Sequence, residues 1–163
     1  MEKTKEHMTK NMEWRRKVNV NHIRKQDPED VLGCSFRNLL ELMPHWQFRY
    51  DREMHPVLYY QIGRYNITDI KNATGGSFDS VVKYHVWEQE ALTRLCAAQT
   101  RKTGFVVDSV TAVVDLQHLS MQHASRDSLN MAKLLIEIDN KQSPETLGSM
   151  LISKSIRHIY YSF

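Results

Sequence analysis

Few residues in this sequence could carry catalytic chemistry, and those few do not form a known catalytic arrangement. Gly75 and Gly76 precede Ser77, but the preceding strand and the lysine of a phosphate-binding loop are missing. No Gly-x-Ser-x-Gly nucleophile motif occurs. His118 and His123 do not have the i, i+4 spacing of a helical zinc pair. The sequence therefore argues against an enzyme and predicts neither a metal nor a cofactor.

One acidic residue stands where ligands often bind in α/β proteins. Asp115 follows a nearly continuous apolar segment, and ligands commonly bind at the carboxyl ends of such strands. An aspartate after a strand also orders the next loop through its own side chain. Both interpretations of Asp115 are open at this stage.

The N-terminal region carries the positive charge of the chain. The whole sequence has a formal net charge of +3, whereas residues 1–25 hold eight Lys or Arg against three Glu. Such a segment could contact anionic lipid headgroups, or it could be a solvated helix face. The charged start Met1–His7 lacks the apolar stretch of a secretory signal, so we expect a cytoplasmic protein with Cys34 and Cys96 as free thiols.

The predicted secondary structure begins with a helical prefix. With 163 residues and 41% hydrophobic residues, the chain has the size and composition of one globular domain. Helical spacing of apolar residues predicts one helix over Met1–Lys17 and a second over Val31–Met43, which ends before Pro44.

After Pro44, the apolar residues have the spacing of strands in some segments and the spacing of helices in others. Residues 45–63 alternate as a β-hairpin, and a long helix is predicted from Ser77 to Gly104. The later segments are a buried strand over Asp108–Leu116, a helix over Met121–Ile138 and an apolar run over Leu147–Ile152. This order predicts an α/β fold with a mixed, largely parallel sheet and crossover helices on the helical prefix.

Five motifs occur in an order that resembles a known family. They are Glu13–Arg16, Pro56–Gly63, Val86–Glu90, Val113–Leu116 and Ser143–Gly148. Their succession resembles the CRAL-TRIO lipid-binding family, in particular the cytosolic phosphatidylinositol and phosphatidylcholine transfer proteins.

The resemblance implies a lipid-binding function without catalysis. It implies that an apolar pocket binds a phospholipid of the phosphatidylinositol type, or another hydrophobic molecule, and that the protein transfers it between membranes or presents it to lipid-modifying enzymes. It also implies a cytoplasmic protein that associates peripherally with membrane surfaces and has no nucleic-acid partner. The alternative function is a protein-interaction or regulatory module that keeps the fold and binds no lipid.

The resemblance also implies which residues form the lipid site. The apolar pocket wall would comprise Leu58, Tyr60, Val110, Ala112 and Val114. The same residues could be ordinary core, and for Tyr60 and Val114 the core is the favoured interpretation, because the strand register is unknown.

Two polar positions of the family's headgroup sites have counterparts in this chain. Gln89 matches a headgroup tyrosine, and Glu145 matches a glutamate of phosphoinositide-binding members, although Glu145 could equally act at a helix start after Pro144. The lysine that works with this glutamate in the family has no counterpart here, and the strand hydroxyls of phosphatidylcholine-binding members match the apolar Val110 and Ala112. The comparison therefore favours a different or more apolar ligand.

Departures from the family pattern set the expected domain limits. His118 stands where the family usually has a glycine, and a histidine would resist a turn with positive φ. We expect residues 1–43 to be the end of the helical region, residues 44–152 to be the N-terminal part of the CRAL-TRIO domain, and residues 153–163 to be a divergent tail. On this interpretation the sequence is truncated at both ends.

Overall fold

The fold combines one sheet with a set of surrounding helices. The computed structural model describes residues 2–142 and 146–154. The strands are β1 (His45–Tyr50), β2 (Pro56–Tyr60), β3 (Val110–Asp115) and β4 (Leu147–Ser153). The helices are α1 (Glu2–Val18), α2 (Val20–Ile23), α3 (Pro28–Leu32), α4 (Phe36–Leu42), α5 (Ile67–Ala73), α6 (Asp79–Thr103) and α7 (Arg126–Gln142).

The sheet has the strand order β1-β2-β3-β4. Strands β1 and β2 pair antiparallel as a hairpin, as predicted. Strand β3 pairs parallel with β2 on one side and with β4 on the other, so α6 and α7 are the crossover connections. The predicted α/β class, with a mixed and largely parallel sheet, is confirmed.

The helical prefix contains more and shorter helices than the spacing of its apolar residues predicts. The single helix predicted over Val31–Met43 is wrong, because Gly33 adopts a left-handed conformation with φ of 70° and ends α3. Asn19, with φ of 59°, separates α1 from α2 in the same way. The chain therefore turns sharply at these points, which lets several short helices pack on α6.

The largest apolar core lies between the helical prefix, α5, α6 and α7. Leu32, Leu39, Ile70, Val81 and Val86 are fully buried there. Burying each such side chain contributes about 1.5–3 kcal/mol, so this core accounts for much of the attachment of the prefix.

A polar contact reinforces that attachment. Glu90 of α6 is buried, and its carboxylate accepts a 2.7 Å hydrogen bond from Arg15 Nη1 and lies 3.6 Å from Arg24 Nη1. Trp87 packs on the same core and donates from Nε1 to the Gln26 carbonyl oxygen at 3.0 Å. Two of the basic residues of segment 1–25 therefore hold the prefix in place.

Candidate functional site

A cavity lies on the face of the sheet that α6 and α7 cover. Its volume is about 290 Å³, near the lower end of the ~300–1,000 Å³ typical of ligand pockets. Its floor is formed by alternate residues of two neighbouring strands, Leu58 and Tyr60 of β2 and Val110, Ala112 and Val114 of β3. Alternate residues of a strand share a face, so the parallel register of β2 and β3 places all five side chains on the same side.

These five are the residues for which the sequence left cavity wall and ordinary core open. The structure places all of them around one cavity, together with Gln89 of α6. The opposite face of the sheet carries Val57, Tyr59 and Val113, which form a separate buried cluster. The remaining predicted residue, Glu145, lies outside the described residues. Contact of any of these residues with lipid stays a prediction.

The other walls of the cavity come from elements the sequence did not assign to it. Met43 and Ile62 approach from the ends of the hairpin, and Leu135 comes from α7. At the side of β4 the lining residues Leu147 and Met150 are 47% and 51% exposed, so the cavity reaches the surface there. An apolar enclosure that reaches the surface at β4 can hold a hydrophobic molecule and let it enter.

A polar cluster is built into the wall of this apolar cavity, and we call it the histidine–carboxylate cluster. Its members are His45 of β1, His85 and Glu88 of α6, and Asp139 of α7. His85 Nε2 donates to Asp139 Oδ1 at 2.7 Å, and His85 Nδ1 lies 3.7 Å from Glu88 Oε2. His45 Nε2 lies 3.3 Å from Glu88 Oε1. The cluster thus connects three elements that surround the cavity.

His45 is held in place by two further groups. Its Nδ1 donates to the Met43 carbonyl oxygen at 2.7 Å, because a carbonyl can only accept. Its Nε2 lies 2.9 Å from the Tyr84 hydroxyl, and its ring stacks on Tyr60 with 6.1 Å between ring centres. The imidazole of His45 is therefore fixed at the cavity wall.

The ionisation of the cluster follows from its mutual contacts. Burial alone would lower the pKa of His85, but the hydrogen bonds and charges of Asp139 and Glu88 outweigh burial and raise it to about 9. Burial alone would raise the pKa of Glu88, but His45 and His85 outweigh it and lower it to about 2. The pKa of His45 is likewise raised despite its burial, mainly by Glu88. At neutral pH the cluster therefore contains an ionised Glu88 paired with a charged His85.

Uncharged polar groups extend the cluster along the cavity wall. Gln89 Nε2 donates to Asp139 Oδ1 at 3.2 Å. The hydroxyls of Tyr60 and Tyr65 also belong to this end of the cavity, since burial first and the charge of Glu88 second raise the pKa of both. This region, with the histidine–carboxylate cluster, is called the polar end of the cavity below.

Sequence reasoning missed the histidine–carboxylate cluster, although part of its signal was present. His85, Glu88 and Gln89 have the i, i+3, i+4 spacing that places side chains on one face of a helix. His45 and Asp139 come from distant parts of the chain, and only the tertiary fold brings them to that face. Across the two described ranges, no group of three or more His, Cys, Asp or Glu residues has a geometry that could hold a metal ion.

The loop after β3 is ordered by its own contacts and does not line the cavity. Asp115 Oδ1 accepts a 2.9 Å hydrogen bond from the Gln117 backbone N–H, so its carboxylate orders the loop. His118 adopts φ of 70°, so the backbone has at this position the positive φ that a glycine adopts most easily. Gly63 is required beside this loop, because a Cβ there would overlap the backbone oxygen of Gln117.

No helix within residues 2–142 and 146–154 is long and apolar enough to span a bilayer.

Comparison with known proteins gives a consistent family match. A model of the CRAL/TRIO domain matches residues 42–157. The chain is 26% identical, over 93% of its length, to the phosphatidylinositol/phosphatidylcholine transfer protein SFH7 of Arabidopsis thaliana, and covers 27% of that protein. It is 26% identical, over 67% of its length, to the SEC14 cytosolic factor of Kluyveromyces lactis and covers 36% of it.

A solved structure shows the same fold. The crystal structure of Sfh5 superposes with a TM-score of 0.62 at 17% sequence identity. The match covers 91% of this chain and 48% of Sfh5. This chain therefore has the fold of about half of that molecule.

Proposed function

This chain belongs to the CRAL/TRIO domain family, and on that premise we propose that its cavity binds a phospholipid, of the phosphatidylinositol type, or another hydrophobic molecule. Relatives of this chain are named as phosphatidylinositol/phosphatidylcholine transfer proteins. We also propose that this chain transfers the bound molecule between membranes or presents it to lipid-modifying enzymes. The proposal includes a cytoplasmic protein without catalytic activity that contacts membrane surfaces peripherally.

The apolar floor of the cavity is the main support for a hydrophobic ligand. Leu58, Val110, Ala112 and Val114 present only hydrocarbon to a space of about 290 Å³. Each CH₂ group that a ligand moves from water into such a space contributes about 0.8 kcal/mol. A hydrocarbon chain is therefore the ligand part that this floor favours.

The test is to fill the cavity from its floor and measure the bound lipid. Ala112 is buried at the middle of the floor, so Ala112→Phe should occupy the space of the ligand. Native mass spectrometry of the purified chain should show a co-purified lipid that is reduced at least about tenfold in the variant.

The matched control places the same substitution outside the cavity. Ala98→Phe, on an exposed position of α6, should keep the lipid content of the natural sequence. A folded natural chain that carries no lipid and takes up none from vesicles would contradict the proposal, and would favour an interaction module that binds no lipid. Thermal unfolding of both variants distinguishes a filled cavity from a disrupted fold.

A further inference from the structure

The outer strand β4 has an edge that is apolar and uncharged. Strand β4 pairs with β3 on one side, and the described residues place no strand on its other side. Its segment Leu147–Ser153 contains neither a charged residue nor a proline, the usual features that keep an outer strand from pairing with another chain. The large side chains Leu147, Met150, Leu151 and Ile152 are between 42% and 65% exposed. This edge is therefore a surface that can accept a further strand.

The hydrogen bonds to β3 show which backbone groups of β4 face this edge. The Leu116 backbone N–H donates to the Ser153 carbonyl oxygen at 2.8 Å. In a parallel ladder, successive residues of a strand direct their backbone groups alternately to one neighbour and to the other. Ser153 and Leu151 therefore bind β3, whereas Ile152 and Met150 direct their N–H and C=O groups to the free edge.

The side-chain order of β4 is symmetric about Leu151. On either side of Leu151 stand an apolar residue, Met150 or Ile152, and then a serine, Ser149 or Ser153. If two copies of β4 pair antiparallel with Leu151 at the centre, Met150 lies opposite Ile152 of the second copy, and Ser149 lies opposite its Ser153. Apolar side chains then meet apolar ones and hydroxyls meet hydroxyls, and such cross-strand pairs stabilise antiparallel strands.

The same register satisfies the backbone groups at the free edge. Met150 and Ile152 both direct their N–H and C=O groups outward, so each Met150–Ile152 pair across the two copies exchanges both of its N–H···O bonds. Lys154 falls opposite Gly148 of the second copy, so no like charges face each other. A second copy of this chain therefore matches the edge in backbone register, in side-chain type and in charge.

The symmetry of this pairing also places the helices of the two copies. A two-fold axis perpendicular to the sheet keeps the helix-covered faces of both copies on the same side, so the two α7 helices lie in one layer. Leu129 and Ile136 of α7 are 62% and 57% exposed and add apolar surface to that layer. Because the contact uses the same surface on both copies, it closes at a dimer and does not continue into a fibre.

We propose that the β4 edge, residues 149–153, is a homodimer interface in which two copies pair antiparallel about Leu151 and form one continuous eight-stranded sheet. The interface borders the cavity, because Met150 lines the cavity and lies beside Ile152 of the second copy in the dimer. This inference goes beyond the proposed function, since the edge pairs whether or not the cavity holds a lipid.

The first test measures association of the full chain. Sedimentation equilibrium at pH 7 should show a monomer–dimer equilibrium that shifts to the dimer as the concentration rises. Leu151→Lys places two like charges directly opposite each other at the axis and should weaken the dimer at least about tenfold. Val106→Lys adds the same charge at a position that is 79% exposed in the loop before β3, and it should leave the dimer unchanged.

A second variant changes the backbone and adds no charge. Ile152→Pro removes an outward N–H and keeps the bonds to β3, because proline is tolerated where the N–H of an outer strand faces solvent. It should also weaken the dimer at least about tenfold. Its thermal unfolding, followed by circular dichroism, should stay close to that of the natural sequence, which separates a lost interface from a disrupted fold.

Single cysteines test the register. Leu151→Cys brings two thiols to the axis, where opposite Cβ atoms are about 4.5–5.5 Å apart, so oxidation with diamide should link the copies by a disulfide. Ser149→Cys, on the same face, should not link them, because the two copies of residue 149 are about 13 Å apart along the strands. The natural chain, with Cys34 and Cys96, provides the background.

Each outcome decides the proposal. Weaker dimers in both edge variants, with the control unchanged and the disulfide confined to Leu151→Cys, would support it. A natural chain that stays monomeric up to about 100 µM would overturn it and would indicate a different protein, or another segment of the same polypeptide, as the occupant of the edge. Unchanged dimer affinity in both edge variants, or an equally efficient disulfide in Ser149→Cys, would overturn it as well. Bound lipid is measured separately, so the proposed function can fail while this inference stands.

Discussion

Two glutamates of α6, two residues apart in sequence, serve different parts of the molecule. Glu88 faces the cavity and contacts His45 and His85, whereas Glu90 faces the helical prefix and contacts Arg15 and Arg24. Two residues on an α-helix are separated by about 200° of rotation, so the two carboxylates point to opposite sides. One helix thereby supports both the attachment of the prefix and the wall of the cavity.

The partners of the two glutamates give the regions different chemistry. Arginine stays charged at all accessible pH values, so the contact of Glu90 with Arg15 and Arg24 does not depend on protonation of the partner. Histidine gains or loses its charge, so the contacts of Glu88 depend on the protons of His45 and His85. We therefore interpret the prefix contact as a permanent attachment and the cavity contact as a titratable site.

The largest effect should come from removing the charge of Glu88. Glu88→Gln leaves His85 and His45 without their shared carboxylate inside the protein, and breaking such a buried pair costs about 3–5 kcal/mol. Urea unfolding at pH 7 measures the loss of free energy of unfolding. Glu41→Gln, an exposed change of the same type, should stay within about 0.5 kcal/mol of the natural sequence. A loss for Glu88→Gln no larger than for the control would show that the cluster does not contribute to stability.

The free energy of unfolding should depend on pH because His85 and Glu88 of the histidine–carboxylate cluster change their pKa on folding. The pKa of His85 rises from 6.5 to about 9 on folding, so its stabilisation is complete below pH 6.5 and disappears as the pH rises through 9. The pKa of Glu88 falls from 4.5 to about 2, so its stabilisation is complete above pH 4.5 and disappears as the pH falls towards 2. The cluster is therefore most stabilising between pH 4.5 and 6.5.

Replacing His85 should remove the alkaline part of this dependence. We expect the natural sequence to lose up to about 3 kcal/mol of unfolding free energy between pH 6.5 and 9, and His85→Gln to lose clearly less. The raised pKa of His45 contributes in the same direction and remains in the variant. His22→Gln, on the exposed face of α2, should keep the natural profile. Parallel profiles of His85→Gln and the natural sequence would contradict the assignment.

The smallest effect is expected at the prefix contact. Glu90→Gln removes one charge-assisted hydrogen bond, but Arg15 and Arg24 are partly exposed and regain contact with water, so we expect a loss of about 1–2 kcal/mol. The loss should be local, because the prefix can loosen while the sheet stays folded.

Limited trypsin digestion provides the readout for the prefix. Cleavage within residues 1–25 should be faster in Glu90→Gln than in Glu88→Gln, while cleavage elsewhere remains slow. If trypsin released the prefix equally fast in both variants, the interpretation of the Glu90 contact as a permanent attachment and of the Glu88 contact as a separate titratable site would be wrong.

Much of the cavity floor could be predicted from the sequence. The family resemblance implied a pocket wall of Leu58, Tyr60, Val110, Ala112 and Val114, although ordinary core was favoured for Tyr60 and Val114, and the structure places all five around the cavity. Alternation fixes which side chains share a face, but it does not show whether that face meets a packed core or an open space. The cavity itself depends on how far α6 and α7 stand from the sheet.

The polar end could not be predicted in the same way. The spacing of His85, Glu88 and Gln89 indicates a common helix face, yet nothing local identifies His45 and Asp139 as their partners. Those contacts join residues that are about forty and fifty positions away along the chain. Local patterns carry no information about such pairs, because they form only when the sheet and helices pack.

By itself, the sequence determined the α/β class, the hairpin and the parallel crossovers, because these follow from the periods of apolar residues and from turn-forming residues. Only the tertiary structure decided that Glu88 belongs to the cavity and Glu90 to the prefix, that Gly33 divides a predicted helix, and that His118 accepts a left-handed turn. The physical reason is that periodicity sets which side chains share a face, whereas packing sets what each face meets.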